Sequence, residues 1–539
     1  MIKKKLTSIF KEHITKEILI LTSLFLCSLL IRLIGVKHGF PLLTHPDESV
    51  IIDRVAHMTW ERTLNPGNFN RPDQILYLLN FLYLNILSFM RFGEHLGAAF
   101  PKHYLNFYAY ARFLISIMGA MIPVIVYKIG NEFRNKFGLF AALVFALFPS
   151  YVLHSLYITP DVPITLFTLL VIYFTVRYLN RGEKFSIYLA TLFAAITTAE
   201  KYPGLITITI VWAGIIINYF QNPEHSKLTK IWPLVKRLTC FSLIFVFTLF
   251  IVAPFIFIEY QQVIEALLRE SRTTHLGADN LGWGGNLFFY LRSFCSWTNL
   301  LSILFIGSGI YALIKNREKS HLLLFYGTIY WIALSVLSLH WERWALPMYI
   351  TPLFLTGMGI NFLWELPKKN VIVKYLAPLS IVIFLIAQFI FTLHIPTSMM
   401  FTDTRLIALS YAEERGITPE NSLYEGYTPF LPGHPRTIFN EFNENACIAN
   451  FIILSSSMFG RYYREPDRYQ KEILIYENIR NNNLLLVKFD PQLHYNGFSN
   501  KLSDILFYFD YRIRATDKTR LKGPVIEIYQ VENCQYSDF

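Results

Sequence analysis

Long apolar runs separated by short polar segments fill the chain from residue 17 to residue 395. A helix that crosses a bilayer needs about 20 consecutive, mostly apolar residues. The pattern therefore predicts about eleven membrane-spanning helices, which cover 17–36, 110–130, 137–156, 162–180, 186–200, 203–220, 238–258, 290–314, 321–339, 345–364 and 375–395.

A further apolar run, Ile75–Met90, is predicted not to cross the membrane. It is shorter than most of the spans, contains Asn80 and Asn85, and ends at Arg91. These features favour a helix that lies in the outer interface. If the run crossed, every later loop would change sides, and the basic loops would face outward, against the usual enrichment of Lys and Arg in cytoplasmic loops.

Basic residues fix the predicted orientation. Lys3, Lys4 and Lys5 place the N-terminus in the cytoplasm, and Lys201 and Arg343 are the notable basic residues of the outer connections. We expect a multi-pass α-helical membrane domain, 1–395, with a large periplasmic loop, 37–109, followed by a small periplasmic α/β domain, 396–539. In that second domain the pattern predicts helices at 404–415 and 467–479, with Thr402 or Asp403 as a cap, and strands at 449–454, 484–489 and 525–531.

Composition supports the membrane assignment. Only 16% of the residues are charged, against about 25% in soluble domains. The net charge of +11 comes mostly from short loops, so it indicates topology and no nucleic-acid partner. Cys447 and Cys534 both lie in the C-terminal region and could form a disulfide if that region is periplasmic. No zinc-type spacing or Gly-rich phosphate loop occurs, so no cofactor is predicted, although a divalent metal stays open.

The segment His45-Pro46-Asp47-Glu48 follows the first predicted span. Two adjacent acids at a membrane edge cost desolvation energy, which makes them candidates for chemistry. They also precede a helical stretch, Ser49 to Trp60, where acids favour the helix N-terminus. Helix capping and catalysis are both open for this pair, and one does not exclude the other.

Other candidates lie on the same predicted face of the membrane. Asp161 stands at the outer end of the fourth span, where it too could be a helix cap. An Arg presents a fork that suits phosphate, and an outer Lys can hold an anionic headgroup. The candidate phosphate ligands are Arg71, Lys201 and Arg343, and weaker candidates for substrate contact are His45, Tyr202 and His340.

Three classes of function fit this arrangement. An outer enzyme would use a carboxylate base, whereas a glycolipid transporter or flippase would share the basic loops and phosphate ligands without needing that base. A non-catalytic scaffold that recruits partners through its C-terminal domain is the third class. A midplane transport site would place ionisable residues deep within the spans, whereas here the candidates collect at their outer ends.

The chain resembles the polyprenyl-phosphate-dependent glycosyltransferases of family 39, which have the GT-C fold and include bacterial protein O-mannosyltransferases and lipid A aminoarabinose transferases. The resemblance rests on five short motifs in the same order. They are His45-Pro46-Asp47-Glu48, Arg71-Pro72, Thr159-Pro160-Asp161, the Lys201 turn and Arg343-Trp344-Ala345-Leu346-Pro347. The lipid A enzymes tend to have Lys-Pro-Pro-Leu where this chain has Arg71-Pro72-Asp73-Gln74.

The resemblance implies a bacterial inner-membrane enzyme that moves a sugar from a polyprenyl phosphate to a periplasmic or cell-surface acceptor, which would be a protein, a lipid or a polysaccharide. It implies that Asp47 is the general base, and that Glu48 and Asp161 orient the acceptor or assist. It further implies that Arg71, Lys201 and Arg343 hold the donor phosphate. A lipid phosphate is a good leaving group, so one base and a set of cations suffice for one inverting displacement.

Overall fold

The computed structural model describes residues 2–133, 136–221, 231–270, 275–276, 281–316, 321–366, 371–430, 449–491, 498–510 and 520–532. The chain divides into two compact units. The first contains 1–36, 47–271 and 283–396, and the second contains 37–46, 272–282 and 397–539. Cys447 and Cys534 lie outside the described residues, so their pairing stays a prediction.

The first unit consists of helices. They are α1 Ile2–Leu33, α2 Pro46–Glu61, α3 Gln74–Phe92, α4 Leu96–Asn131, α5 Gly138–Ala146, α6 Pro149–His154, α7 Asp161–Arg181, α8 Lys184–Glu200, α9 Ile208–Gln221, α10 Ile231–Val252, α11 Pro254–Ile258, α12 Tyr260–Glu270, α13 Trp283–Ser296, α14 Leu301–Asn316, α15 His321–Ser335, α16 Leu346–Glu365 and α17 Val371–Ser398. Two short 3₁₀ segments, Tyr202–Thr207 and Glu342–Ala345, precede α9 and α16.

In the described part of the chain, seven of these helices are long and apolar enough to cross a membrane, or eight if the bent pair α13–α14 forms one span. The prediction of a multi-pass helical membrane protein is confirmed, while the number eleven stays a prediction. The span 290–314 stays a prediction, and within it α13 and α14 meet at 111°. The side chain of Asn299 accepts a hydrogen bond from the N–H of Leu301 at 3.1 Å, which starts a new helix at that point.

The region between the first unit's α3 and α4 bears on the predicted interfacial run. α3 is itself long and apolar enough to cross a membrane. However, α4 has 36 residues, more than a span needs, and His103 breaks its helical geometry (φ −136°, ψ 27°). Phe92, at the end of α3, stacks on His103 with ring centroids 4.1 Å apart. The N–H of Leu96, at the start of α4, donates to Oδ1 of Asn85 at 3.3 Å. The first turns of α4 therefore lie against the second half of α3; the interfacial position of α3 stays a prediction.

Glycines allow the closest helix contact of the first unit. A Cβ on Gly309 of α14 would lie 2.0 Å from the carbonyl oxygen of Leu355, and one on Gly359 of α16 would lie 1.8 Å from that of Phe305. Small residues that let helix backbones approach are typical of membrane helix packing. The pair α14–α16 supports the turn that carries Arg343, because α16 begins directly after it.

In its described residues, the second unit contains a four-stranded sheet, a separate two-stranded parallel sheet formed by its first and fifth strands, and helices. Its strands are β1 Thr402–Asp403, β2 Ser422–Tyr424, β3 Phe451–Ser455, β4 Leu484–Phe489, β5 Leu521–Lys522 and β6 Ile526–Gln530, and its helices are α18 Thr404–Glu414, α19 Ser456–Tyr462, α20 Gln470–Asn482 and α21 Phe498–Phe509. The sheet order is β2-β3-β6-β4, with β2 and β3 parallel and β6 antiparallel to both of its neighbours. Asp403 caps α18 by accepting the N–H of Arg405 at 3.0 Å. The domain boundary at residue 395 stays a prediction.

Candidate active site

The two adjacent acids of α2 have opposite surroundings. α2 begins at Pro46, so Asp47 and Glu48 stand in its first turn, where the helix dipole favours negative charge. Successive residues of a helix point about 100° apart. As a result, the side chain of Asp47 stays 22% exposed, whereas Glu48 is fully buried. Only the first of the pair can be reached from outside the unit.

Glu48 is held by a buried arginine. Arg112 of α4 donates from Nε at 2.8 Å and from Nη2 at 2.6 Å to the two carboxylate oxygens. The N–H of Ile158 donates to Oε1 of Glu48 at 3.1 Å. Both side chains have no exposed surface. Because both carboxylate oxygens have hydrogen-bond donors, this bidentate pair fixes the start of α2 against α4. The geometry does not favour the predicted contact between Glu48 and an acceptor.

Asp47 instead faces two arginines that come from distant parts of the chain. Arg71, in the loop before α3, donates from Nη1 to Oδ2 of Asp47 at 3.0 Å. Arg343, in the 3₁₀ turn before α16, donates from its own Nη1 to the same oxygen. The side chains of Arg71 and Arg343 remain 22% and 28% exposed. We call these three residues the open cluster.

A second, closed pair lies beside the open cluster. Nζ of Lys201 is 2.6 Å from Oδ1 of Asp161, with side-chain exposures of 11% and 1%. Oδ2 of Asp161 is buried and has no hydrogen-bond partner in the described part of the chain. Arg343 and His154 are close enough to act electrostatically on Asp161. Since Lys201 is almost buried, it is less able to meet a ligand than Arg71 or Arg343.

The structure adds Asp73, which the sequence analysis quoted in a motif but did not select as a site residue. Asp73 is buried and has a left-handed backbone, with φ 45° and ψ 19°. Such a conformation is strained for a residue other than Gly and is often found at functional sites. Oδ2 of Asp73 accepts Nε of Arg71 at 3.2 Å. The acid therefore holds the guanidinium that also contacts Asp47.

Glu200 was missed in the same way. It is buried at the C-terminal end of α8, where the helix dipole disfavours an acid. Its carbonyl oxygen accepts the N–H of Asp73 at 3.1 Å, and Oε2 accepts the N–H of Leu76 at 2.9 Å. The unfavourable position of an acid at a predicted helix end, next to Lys201, is the signal that would have selected it.

Carboxyl groups and cations of the site influence one another's pKa. The carboxyl groups are Asp47, Asp73, Asp161 and Glu200, and the cations are Arg71, Lys201 and Arg343. Burial lowers the pKa of Arg71, but Asp73, Asp47 and Asp161 outweigh it and raise that pKa above its ordinary value. Burial raises the pKa of Asp73, against the opposing effects of Arg71 and Lys201. Arg71 therefore stays charged.

The three weaker candidates have other surroundings. The hydroxyl of Tyr202 donates to the carbonyl oxygen of Phe69 at 2.8 Å, which ties down the loop before Arg71. His340 packs against Phe289 with ring centroids 4.1 Å apart. His45 belongs to the segment 37–46 of the second unit. None of these observations assigns a substrate contact to them.

Two neighbouring cavities lie along α2 and the loop that ends at Arg71. The first, of about 500 Å³, is lined by Ser49, Val50, Asp53, Arg54, His57 and Asn68. The second, of about 340 Å³, shares Arg54 and Asn68 with the first and extends to α12. The wall of the second cavity is largely polar and includes Asn70, which precedes Arg71 in the chain, so this cavity could accept a hydroxyl-bearing molecule.

No group of three or more His, Cys, Asp and Glu side chains is arranged to hold a metal ion within the described ranges. Asp73, Asp161 and Glu200 are each tied to separate backbone or cationic partners.

Solved structures of a membrane enzyme share the fold of this chain. The apo structure of ArnT from Cupriavidus metallidurans aligns with 86% of this chain and 96% of its own, with a TM-score of 0.51 and 12% identity. The structure of the same enzyme bound to undecaprenyl phosphate aligns with 82% of this chain and 94% of its own, at a TM-score of 0.49 and 12% identity. The alignment with the apo structure shows that the chain has the fold of the GT-C membrane glycosyltransferases, as predicted.

The sequence comparisons match part of the chain to protein mannosyltransferases. Residues 98–264 match the family model for dolichyl-phosphate-mannose-protein mannosyltransferase. A relative is dolichyl-phosphate-mannose–protein mannosyltransferase 1 of Saccharomyces cerevisiae, which is 28% identical over 264 residues, or 46% of this chain. The chain spans about 30% of the length of that relative. The predicted resemblance to glycosyltransferases of this type is confirmed.

Proposed function

We propose that this chain is a membrane glycosyltransferase that moves one sugar from a polyprenyl phosphate to an acceptor hydroxyl. The support comes from the family match, whose description names a dolichyl-phosphate-linked sugar as the donor, and from the fold. The observation that carries the proposal is the open cluster, in which two partly exposed arginines share one carboxylate oxygen. Arginine pairs of this kind suit a phosphate.

Donor binding would release the base. In the structure, Oδ2 of Asp47 occupies the guanidinium N–H groups that a phosphate would need. A lipid phosphate that takes over these N–H groups frees the Asp47 carboxylate for the acceptor. The exchange keeps each arginine beside an anion, so it avoids leaving a half-buried charge unpaired. We therefore expect the donor to bind before the acceptor.

The transfer step then needs few groups. Asp47 accepts the proton of the acceptor hydroxyl, and that oxygen forms a bond to the anomeric carbon from the face opposite the phosphate. The bond from the anomeric carbon to the phosphate oxygen breaks, and its electron pair leaves with the lipid phosphate. Arg71 and Arg343 stabilise the charge that develops on that phosphate. The configuration at the anomeric carbon is inverted.

The remaining residues would position this machinery. Asp161 and Lys201 neutralise one another next to Arg343, and Asp73 holds Arg71. We assign Glu48 to the placement of Asp47, because its contacts with Arg112 leave no surface for a substrate. In this proposal Lys201 acts on the donor only through Asp161.

We propose that the site faces the extracytoplasmic side of the membrane, since the predicted inner loops carry most of the Lys and Arg residues. The bacterial inner membrane is the location that the sequence analysis favours. The partners would be the donor lipid, a periplasmic acceptor and the bilayer. A glycolipid transporter would need the cations but no base, and no contact described above favours it over transfer.

The test is Asp47→Asn in purified protein with a radiolabelled polyprenyl-phosphate sugar. Loss of a general base costs about 10²–10⁴ in rate, so we expect transfer to fall by at least a hundredfold. Glu61→Gln, at the exposed far end of the same helix, is the matched control and should keep full activity. Transfer by the Asp47→Asn protein at the wild-type rate would refute the proposed base, and lipid translocation without transfer by the wild type would favour the transporter.

A further inference from the structure

Arg32 is a buried arginine that the proposed transfer step does not use. It stands in the last turn of α1, and its side chain has no exposed surface. Among the residues that the structure describes, its hydrogen bonds go to two serines and to no acid, and its Nη2 is buried without a partner. A buried charge without a counter-charge costs stability, which makes this arginine a candidate for function.

Two serines and a glycine surround the guanidinium of Arg32. Nη1 donates to Oγ of Ser28 at 2.6 Å and to the carbonyl oxygen of the same residue at 2.9 Å. Nε donates to Oγ of Ser155, directly after α6, at 3.1 Å. A Cβ on Gly119 of α4 would lie 2.8 Å from Nε of Arg32 and 2.2 Å from Oγ of Ser155. The contact between Arg32 and Ser155 therefore depends on the missing side chain at position 119.

α6, which ends just before Ser155, is a helix of only 6 residues. A helix this short is not stable alone, so its position depends on contacts with its neighbours. Oγ of Ser155 donates to the carbonyl oxygen of Tyr151 within α6 at 2.5 Å. The carbonyl oxygen of Ser155 accepts Oγ of Ser116 from α4 at 3.1 Å. Arg32 and Ser116 thus hold the end of α6 from two neighbouring helices.

The hydroxyl of Tyr151 connects α6 to the open cluster. Tyr151 is fully buried, and its hydroxyl donates to the carbonyl oxygen of Leu346, the first residue of α16, at 2.9 Å. The 3₁₀ turn that contains Arg343 ends directly before Leu346. On its other side, α6 leads through residues 155–160 to Asp161, on which Arg343 acts electrostatically. The position of α6 therefore bears on the turn that carries Arg343.

We propose that Arg32 is a positioning residue, which fixes the turn carrying Arg343 through α6. Its effect on sugar transfer rests on the proposed function, because the contact between Arg343 and the donor phosphate belongs to that function. A cation in the last turn of a helix is also favoured by the helix dipole, and that structural role alone would make Arg32 stabilising. Positioning predicts the opposite, because functional sites often lower the stability of a protein.

The first test separates positioning from folding. Arg32→Met replaces the guanidinium by an apolar side chain of similar length. We expect its thermal midpoint in detergent to stay within about 2 °C of the wild type or to rise. Hydrogen–deuterium exchange of peptides that cover residues 341–348 should become about twofold faster or more. A lowered midpoint with unchanged exchange of these peptides would make Arg32 a folding residue and overturn the proposal.

The second test follows the same contacts with smaller changes. Ser155→Ala leaves the arginine in place but removes its contact with α6, so it replaces Arg32→Met if that variant does not fold. Tyr151→Phe removes only the hydroxyl that reaches α16. Each should speed exchange at 341–348, and adding Tyr151→Phe to Arg32→Met should cause no further increase, because both changes act through α6. Fully additive effects would show that Arg32 does not act through Tyr151 and would contradict the proposal.

The third test measures the consequence for the donor. Arg32→Met should raise the donor KM by about tenfold and leave the acceptor KM unchanged, since a displaced guanidinium no longer meets the phosphate. Arg32→Lys keeps a donor for one serine, so its donor KM should lie between those of the wild type and the methionine variant. Arg177→Met, at the other end of α7 from the site, breaks a partly exposed pair with Glu183 and is the control that should match the wild type. Faster exchange at 341–348 with an unchanged donor KM would support the positioning and refute the donor role of Arg343, so the two failures are distinct.

Discussion

Asp47 and Glu48 are neighbours in the chain and yet form two different kinds of ion pair. Glu48 meets Arg112 with both side chains fully buried, and its oxygens are occupied by the guanidinium and the N–H of Ile158. Asp47 shares one oxygen between Arg71 and Arg343, and all three side chains keep about a quarter of their surface exposed. The Glu48–Arg112 pair has no exposed surface for a ligand, whereas each side chain of the open cluster is partly exposed.

The comparison teaches that the type of residue does not decide the role in this site. An Arg–carboxylate pair with no solvent contact contributes geometry, because separating it would leave a buried charge. In a pair that keeps part of its surface exposed, water or another anion can reach the charged groups, and under the proposed function the donor phosphate does so. The same distinction separates Lys201, which is closed against Asp161, from Arg343.

Arg112→Ala should have the largest effect, on folding. Removing one partner of a buried ion pair costs about 3–5 kcal/mol, because the remaining charge is buried alone. We expect a marked loss of thermal stability in detergent and little folded protein. The measurement is fluorescence-detected size-exclusion chromatography after heating.

The control for this prediction replaces both partners. Glu48→Leu combined with Arg112→Met fills the site with apolar atoms, which is often neutral for stability. The double variant should therefore recover most of the stability lost by the single one. If Arg112→Ala alone is as stable as the wild type, the Glu48–Arg112 pair does not anchor α2 as its burial indicates.

Much of the fold could be predicted from the sequence, because membrane helices are defined by local apolar composition. The pattern located α7, for example, within one residue at each end of the predicted span 162–180. The bend between α13 and α14 was missed, since polar residues around Asn299 are scattered among apolar ones within a predicted span. A single polar residue that caps a new helix barely changes the composition of a 25-residue window.

The site was predictable only in part. The motifs selected Asp47, Arg71 and Arg343, which the structure brings together from three distant segments. Arg112 could not be chosen, because it lies in a predicted span and its partner is 64 residues away. The same holds for the strained backbone of Asp73, which depends on the carbonyl of Glu200. Contacts of this kind depend on tertiary packing and leave no local pattern.

Glu425 of the second unit shows what a closed carboxylate does when its direct partners are neutral. It accepts the N–H of Ser455 at 2.7 Å and the hydroxyl of Tyr476. Burial raises the pKa of Glu425 to about 7, although both hydrogen bonds favour the charged form. Since its ordinary pKa is 4.5, the folded protein binds the proton more tightly than the unfolded chain does.

The sign of the pH effect follows. As the pH rises from about 4.5 to about 7, the unfolded chain releases this proton first, so the second unit loses stability by up to about 1.4 kcal/mol per pH unit. Glu425→Gln should remove that slope. Hydrogen–deuterium exchange of peptides from β3 and β6, corrected for the intrinsic pH dependence of exchange, measures it. A slope that survives the substitution would assign it to a group other than Glu425.

Arg343 gives the smallest predicted effect and the sharpest test of the open cluster. If its guanidinium leaves Asp47 to bind the donor phosphate, Arg343→Ala should raise the donor KM by about tenfold, which corresponds to about 1.4 kcal/mol, and leave the acceptor KM unchanged. Arg343→Lys keeps the charge but loses the forked guanidinium, so its donor KM should lie between those of the wild type and the alanine variant. Lys102→Ala, which breaks an exposed pair with Glu94, is the control and should match the wild type. If the alanine variant has a wild-type donor saturation curve, Arg343 does not hold the phosphate; if only its acceptor KM rises, Arg343 belongs to the acceptor side of Asp47.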